Sequence, residues 1–152
     1  MLIVLEGCDG VGKTTLAKSL ALLLDAEIIH CNSKTSNNYK FFTDILEVSK
    51  HKNIIADRFC YGQFVYQKEE ERPLRTYSAL NTLEIDLLEA GAKVIYVQAP
   101  PEEIKERLRS RGEVLINGLT VEAICEQFEI LFKERSILGD SIILWNTGGE
   151  WK

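Results

Sequence analysis

An α/β fold, with a five-stranded parallel sheet and helices on both faces, is predicted by two observations. First, five short apolar runs recur along the chain: LIVL at 2–5, EIIH at 27–30, NIIA at 53–56, KVIYVQ at 93–98 and SIILW at 141–145. Second, the longer stretches between them repeat their apolar residues at helical spacing. Strands buried on both faces read as continuous apolar runs, and the helices between them supply the cover.

The elements follow in order. The first run ends in glycine. Leu16, Leu20, Leu23 and Leu24 then mark a helix from about Lys13 to Leu24. A second strand at 27–30 leads to a helix over about 38–50, with Phe41, Phe42, Ile45, Leu46 and Val48 as its apolar face. After the third strand comes a short helix over 61–67 and a charged break at 69–73. Leu80, Leu83, Leu87 and Ala90 form a helix that Gly91 stops. Pro101 opens the next, with Glu102 and Glu103 in the first turn, where acid suits the helix dipole. Thr120 caps a last helix carrying Val121, Ile124, Phe128 and Leu131.

No linker, repeat or low-complexity tract divides the 152 residues, so one domain over 1–152 is expected. The formal net charge is −5, which argues against broad nucleic-acid binding but leaves room for a small anion in a local basic pocket. No apolar run approaches the roughly 20 residues of a membrane span. MLIVLEG reads as a strand from Met1 rather than as a signal peptide. Cys8, Cys31, Cys60 and Cys125 form no C-x-x-C pair and the chain has two histidines, a pattern without a structural zinc site. Unpaired cysteines point to a reducing, cytoplasmic location, with each thiol a small buried residue. The oligomeric state is left open, a homodimer included.

Ligands of parallel α/β sheets bind at the carboxyl ends of the strands. The strongest motif stands there. GCDGVGKT at 7–14 fits G-x-x-x-x-G-K-[ST], with a strand before it and a helix after it. Its backbone, from Gly7 through Asp9, Gly10, Val11, Gly12, Lys13, Thr14 and Thr15, is expected to hold the phosphates of ATP with help from the helix N-terminus. Lys13 should reach the β- and γ-phosphates, and Thr14 should ligate Mg2+.

Asp57 and Arg58 follow the third strand. The carboxylate can hold Mg2+ beside Thr14, and the guanidinium suits a phosphate; the plain alternative is a surface ion pair. Arg107, Arg109 and Arg111 lie in ERLRSRGE, where a helix end runs into a glycine-containing loop. Glu103 and Arg107 form an i,i+4 pair, so part of this is a solvated helix face. The rest suits a mobile lid over about 107–119 that closes on the transferred phosphoryl group. Arg107 and Arg111, four apart, share a face, and Arg109 points elsewhere.

At these residues the sequence resembles the thymidylate kinases and related deoxynucleoside monophosphate kinases, in a compact, phage-like form. LEGCDGVGKTT looks like the family's phosphate loop, DRFCYGQFVYQ like its Asp-Arg segment and ERLRSRGE like its lid start. The resemblance implies strand order 2-3-1-4-5 and dTMP or a related monophosphate as acceptor. It implies that Asp9 organises the acceptor sugar, that Tyr66 disfavours ribose and that Gln63 reads the base. A catalytic lid arginine is implied because the phosphate loop has Gly10 where the other type carries arginine. Asn146 and Thr147 fall where this fold contacts adenine. The family's Phe-x-x-x-Arg pair is not matched: Phe41 precedes Ile45, and Phe42 precedes Leu46. VLINGLT replaces the Asp-Arg pair that often follows the lid arginines.

Phe41, Phe42 and Phe59 can stack on a base or belong to the core. A nucleoside or other alcohol kinase stays open as a second reading, with Asp9, Glu6 or Asp57 as base; such enzymes commonly show Glu-Arg-Ser where this chain has Asp-Arg-Phe. A non-catalytic nucleotide switch is the third, though no N-K-x-D guanine signature is present.

Overall fold

A computed structural model describes residues 1–32, 39–67, 76–113, 118–135 and 142–152. Its centre is strand β1 (Leu2–Glu6), buried along its whole length. β3 (Ile54–Asp57) and β4 (Lys93–Gln98) flank it in parallel, with β2 (Glu27–His30) outside β3 and β5 (Ile142–Thr147) outside β4. The register sets Leu5 beside Asp57, His30 beside Asp57, and Glu6 beside Tyr96. Three polar residues, Glu6, His30 and Asp57, therefore stand at the carboxyl ends of neighbouring strands.

The sheet differs from the expected five parallel strands. A sixth strand, β6 (Glu150–Trp151), pairs antiparallel with β5, and the order is β2-β3-β1-β4-β5-β6. Strand β5 also runs on through Thr147 instead of ending at Trp145. Gly148 and Gly149, with φ of 60° and 87°, make the tight two-residue hairpin turn that needs both residues left-handed. Trp145 and Lys152 close the hairpin with two backbone hydrogen bonds of 2.8 Å.

The helices are α1 (Lys13–Leu24), α2 (Tyr39–Ser49), α3 (Tyr61–Tyr66), α4 (Tyr77–Glu89), α5 (Pro101–Ser110) and α6 (Val121–Glu129). Thr76 and Thr120 cap α4 and α6 by accepting the N–H groups of Ala79 and Ala123. Two apolar residues expected on inward faces point outward: Leu23 is 79% exposed and Val48 39%. Helix α6 widens into a π-helical segment, Ile130–Arg135, where Leu131 and Phe132 are both buried. Phe132 stacks on Tyr96 at 4.8 Å and meets Tyr61 at 4.6 Å, which ties this segment to β4 and α3. The charged break at 69–73, residues 114–117 of the segment expected as a lid and the start of the fifth apolar run lie outside the described residues. Among the described residues no helix is long and apolar enough to cross a membrane.

Candidate active site

The chain leaves β1 at Glu6, turns through Gly7–Gly12 and re-enters helix at Lys13. The Lys13 side chain is buried, and its Nζ donates to the carbonyls of Gly7 (2.8 Å) and Cys8 (2.7 Å). Burial lowers its pKa, with the Asp9 carboxylate opposing that fall. The ammonium thus ties the helix start to the first turn of its own loop.

At the next residue, Thr14 Oγ1 donates to Asp57 Oδ2 at 2.7 Å, and His30 Nδ1 lies 3.0 Å from the same oxygen. Among the described residues no three His, Cys, Asp or Glu side chains cluster to hold a metal by themselves. A hydroxyl and a carboxylate side by side are hard oxygen donors. They fit Mg2+, which takes one or two protein oxygens and completes its shell with water and phosphate. Thr14 and Asp57 are the residues that would hold it.

The C-terminal hairpin packs onto the loop. Asn146 is buried, and its Nδ2 donates to Val11 O at 2.8 Å. A Cβ on Gly12 would come 2.6 Å from that amide and 3.2 Å from the Trp151 ring, so only glycine fits there. Asn146, expected at the adenine, therefore shapes the phosphate loop. Thr147 is half-buried and paired with Glu150 in the hairpin ladder.

Arg58 has φ +72°, a left-handed conformation for a non-glycine residue. Its guanidinium forms an ion pair with Asp9. The Asp9 N–H donates to the hydroxyl of Tyr66 (3.2 Å), whose ring meets Phe128 edge-on. Thus Asp9 and Arg58 hold each other, and the Tyr66 hydroxyl supports the Asp9 amide.

Arg107 pairs with Glu103 at 2.7 Å and donates to Gly10 O at 3.3 Å. Glu103 also accepts the Gly148 N–H, linking α5, the phosphate loop and the hairpin. Arg109 turns outward to Glu106 at 2.5 Å. Arg111, just past the end of α5, lies 3.9 Å from Glu113. Two cavities meet here. One of about 320 Å3 is lined by Asp9, Lys13, Thr14, Asp57 and Arg58. The other, of about 570 Å3, is bounded by Glu103, Arg107, Asn146 and Trp151. Gly10, Gly12, Thr15 and Arg111 line both.

The aromatic candidates are placed differently. Phe42 and Phe59 are fully buried, 4.8 Å apart edge to face, and belong to the core. Burying a phenyl ring against another stabilises the fold more than a solvent-facing base platform could. Phe41 is half-buried and packs on Phe42 at 5.7 Å. Gln63 is buried in α3. None of the four lines either cavity. His30 and Trp151 were not singled out by sequence; Glu6 was read only as a candidate base, and Glu103 only as the i,i+4 partner of Arg107, a pair the structure shows.

Glu6 is 1% exposed, and its Oε1 accepts the N–H groups of Phe59 (2.8 Å) and Tyr61 (3.1 Å). Burial raises its pKa from 4.5 to about 7, against the lowering pull of the Phe59 N–H and then of Lys13. Below pH 4.5 the group is protonated whether folded or unfolded. Between pH 4.5 and about 7 the folded state binds more protons, so stability falls as pH rises. The expected loss is on the order of 3 kcal/mol, complete above the folded value. Urea unfolding of wild type and Glu6→Gln without nucleotide, at pH 4.5, 6 and 8, should show wild type losing ground to the variant with rising pH. A pH-independent difference would mean the carboxyl titrates normally.

No protein-family model matches the chain. It is 37% identical over 155 residues to the SPbeta prophage-derived uncharacterized protein YorR of Bacillus subtilis, covering 99% of this chain and 90% of that one. The crystal structure of YorR in complex with phosphorylated GDP superposes with a TM-score of 0.76 at 31% identity, over 100% of this chain and 88% of YorR. A probable thymidylate kinase of Methanococcus maripaludis is 26% identical over 145 residues, 79% of this chain and 71% of its own length. Deoxyadenosine kinase from M. mycoides with bound dATP shares the fold, with a TM-score of 0.59 at 20% identity over 95% of this chain and 90% of that one. The phosphate loop between β1 and α1, set in a sheet with these neighbours, is that of a P-loop kinase-like fold, and the chain belongs to the family of YorR.

Proposed function

We propose that the protein is a nucleotide kinase that transfers the γ-phosphoryl group of ATP to a deoxynucleoside monophosphate, dTMP or a related one. The observation that carries this reading is the pair of cavities meeting at one phosphate loop. One offers Arg58 and Asp9 to an acceptor, the other lies under the hairpin where a donor nucleotide extends. Arg111 stands between them.

An acceptor phosphate is already an anionic nucleophile at neutral pH, so catalysis rests on positioning and charge neutralisation. The Lys13 ammonium exchanges the Gly7 and Cys8 carbonyls for donor phosphates. Arg58 exchanges Asp9 for the acceptor phosphate, which leaves Asp9 to accept from the sugar hydroxyl. Mg2+, held by Thr14 and Asp57, supplies neutralisation of the phosphate charge. The phosphorylated GDP held by YorR and the probable thymidylate kinase among the relatives support phosphoryl transfer between nucleotides, and the deoxyadenosine kinase shares the fold. A hydroxyl acceptor would need a base; of the carboxylates considered for it, Glu6 is engaged with backbone and Asp57 with Thr14 and His30, which leaves Asp9 to that second reading. A panel of nucleosides, ribonucleotides and deoxynucleotides with γ-labelled ATP tests the reading. Labelled deoxynucleoside diphosphates are expected; labelled monophosphates from nucleosides would overturn it.

Tyr66→Ala should raise turnover of ribonucleoside relative to deoxynucleoside monophosphates by roughly tenfold, the scale of a small steric change in a pocket. Tyr66→Phe keeps the ring and should keep the discrimination. Matched kcat/KM values for both sugars measure this, and an unchanged ratio in Tyr66→Ala would reduce Tyr66 to a support for the Asp9 amide.

A further inference from the structure

Arg58 holds a backbone conformation that an L-residue adopts at a cost in free energy. Something adjacent must offset that cost. The backbone on both sides is tied down. The Arg58 N–H donates to Leu5 O at 2.9 Å, inside the sheet. Of the amides that follow, those of Phe59 and Tyr61 both donate to one oxygen of Glu6. Glu6 itself is fixed by the ladder that sets it beside Tyr96 in β4. A buried carboxylate is unfavourable unless hydrogen-bonded, and an apolar residue would fill this place without that penalty. The Glu6 side chain does not line either cavity, so it touches neither phosphate loop ligand nor acceptor.

We propose that Glu6 is a positioning residue for Arg58: it clamps the turn after β3 so that the guanidinium faces the acceptor cavity. This rests on the reading of Arg58 as the acceptor-phosphate ligand. Glu6 then governs binding of the monophosphate through the backbone, without contact to it. Loss of the clamp lets Arg58 relax to a negative φ and swings its side chain off the cavity.

The test is calorimetric titration of dTMP, dCMP, dAMP and dGMP, and separately of ATP, into wild type, Glu6→Gln, Glu6→Ala, Arg58→Ala and the double variant Glu6→Ala/Arg58→Ala. Glu6→Ala should weaken the monophosphate that binds wild type tenfold or more and change ATP affinity less than twofold. Glu6→Gln, which keeps an acceptor oxygen, should retain most of the monophosphate affinity. In the Arg58→Ala background, Glu6→Ala should add no further loss. If Glu6→Ala does not fold, Glu6→Met, which fills the space without an acceptor, takes its place. Equal losses for ATP and monophosphate, or losses that multiply in the double variant, would overturn the proposal and leave Glu6 a purely structural residue. Arg58→Ala with unchanged monophosphate binding would instead sink the acceptor role of Arg58 itself.

Discussion

Lys13→Ala lowers turnover by roughly a hundredfold to a thousandfold and leaves the fold in place. The lysine is the first residue of α1, and its buried ammonium is satisfied by two carbonyls of its own loop. Lys13 itself lines the cavity shared with Thr14, Asp57 and Arg58, so water can take the place of the ammonium when the side chain is cut away. The core does not depend on it. Phosphoryl transfer does, because charge spreads over the transferred group with little covalent help from the protein. Removing one preorganised charge partner costs roughly two to three orders of magnitude in such sites, and no other lysine of the described residues lines either cavity. The measurement is a coupled assay for kcat beside thermal unfolding by circular dichroism. A variant that melts like wild type and still turns over would refute the phosphate-loop assignment.

The second large effect is expected at Arg111 and Arg107. Gly10 leaves the phosphate loop without its own arginine, so charge on the transferred phosphoryl needs another cation. Arg111 lines both cavities, and Arg107 reaches the loop at Gly10 O. Arg109 is turned away to Glu106. Alanine at 111 or at 107 should lower the single-turnover rate by roughly a hundredfold, while ATP affinity changes little. Alanine at 109 should behave as wild type. Arg107 carries a second consequence, since its removal also frees Glu103 from the link between α5 and the hairpin. Loss of rate at Arg109 alone would show that the helix register is irrelevant to catalysis. Three unaffected variants would make this segment a solvated face.

By itself, the sequence determined the helix Lys13–Leu24, the strands Glu27–His30 and Lys93–Gln98, the Thr120 cap and the phosphate loop. These signals are local. Apolar period, turn residues and glycine spacing act within about ten residues and need no partner. Only the tertiary structure decided which phenylalanines are core, because Phe42 and Phe59 cover each other across α2 and the turn after β3. It decided that Glu6 clamps amides 53 and 55 residues away, and that Asn146 braces a carbonyl 135 residues before it. It added β6, since two residues are too short to show a period and gain their place only from the Gly148–Gly149 turn. Burial and hydrogen-bond partners are set by how distant elements pack, and no local pattern carries that information.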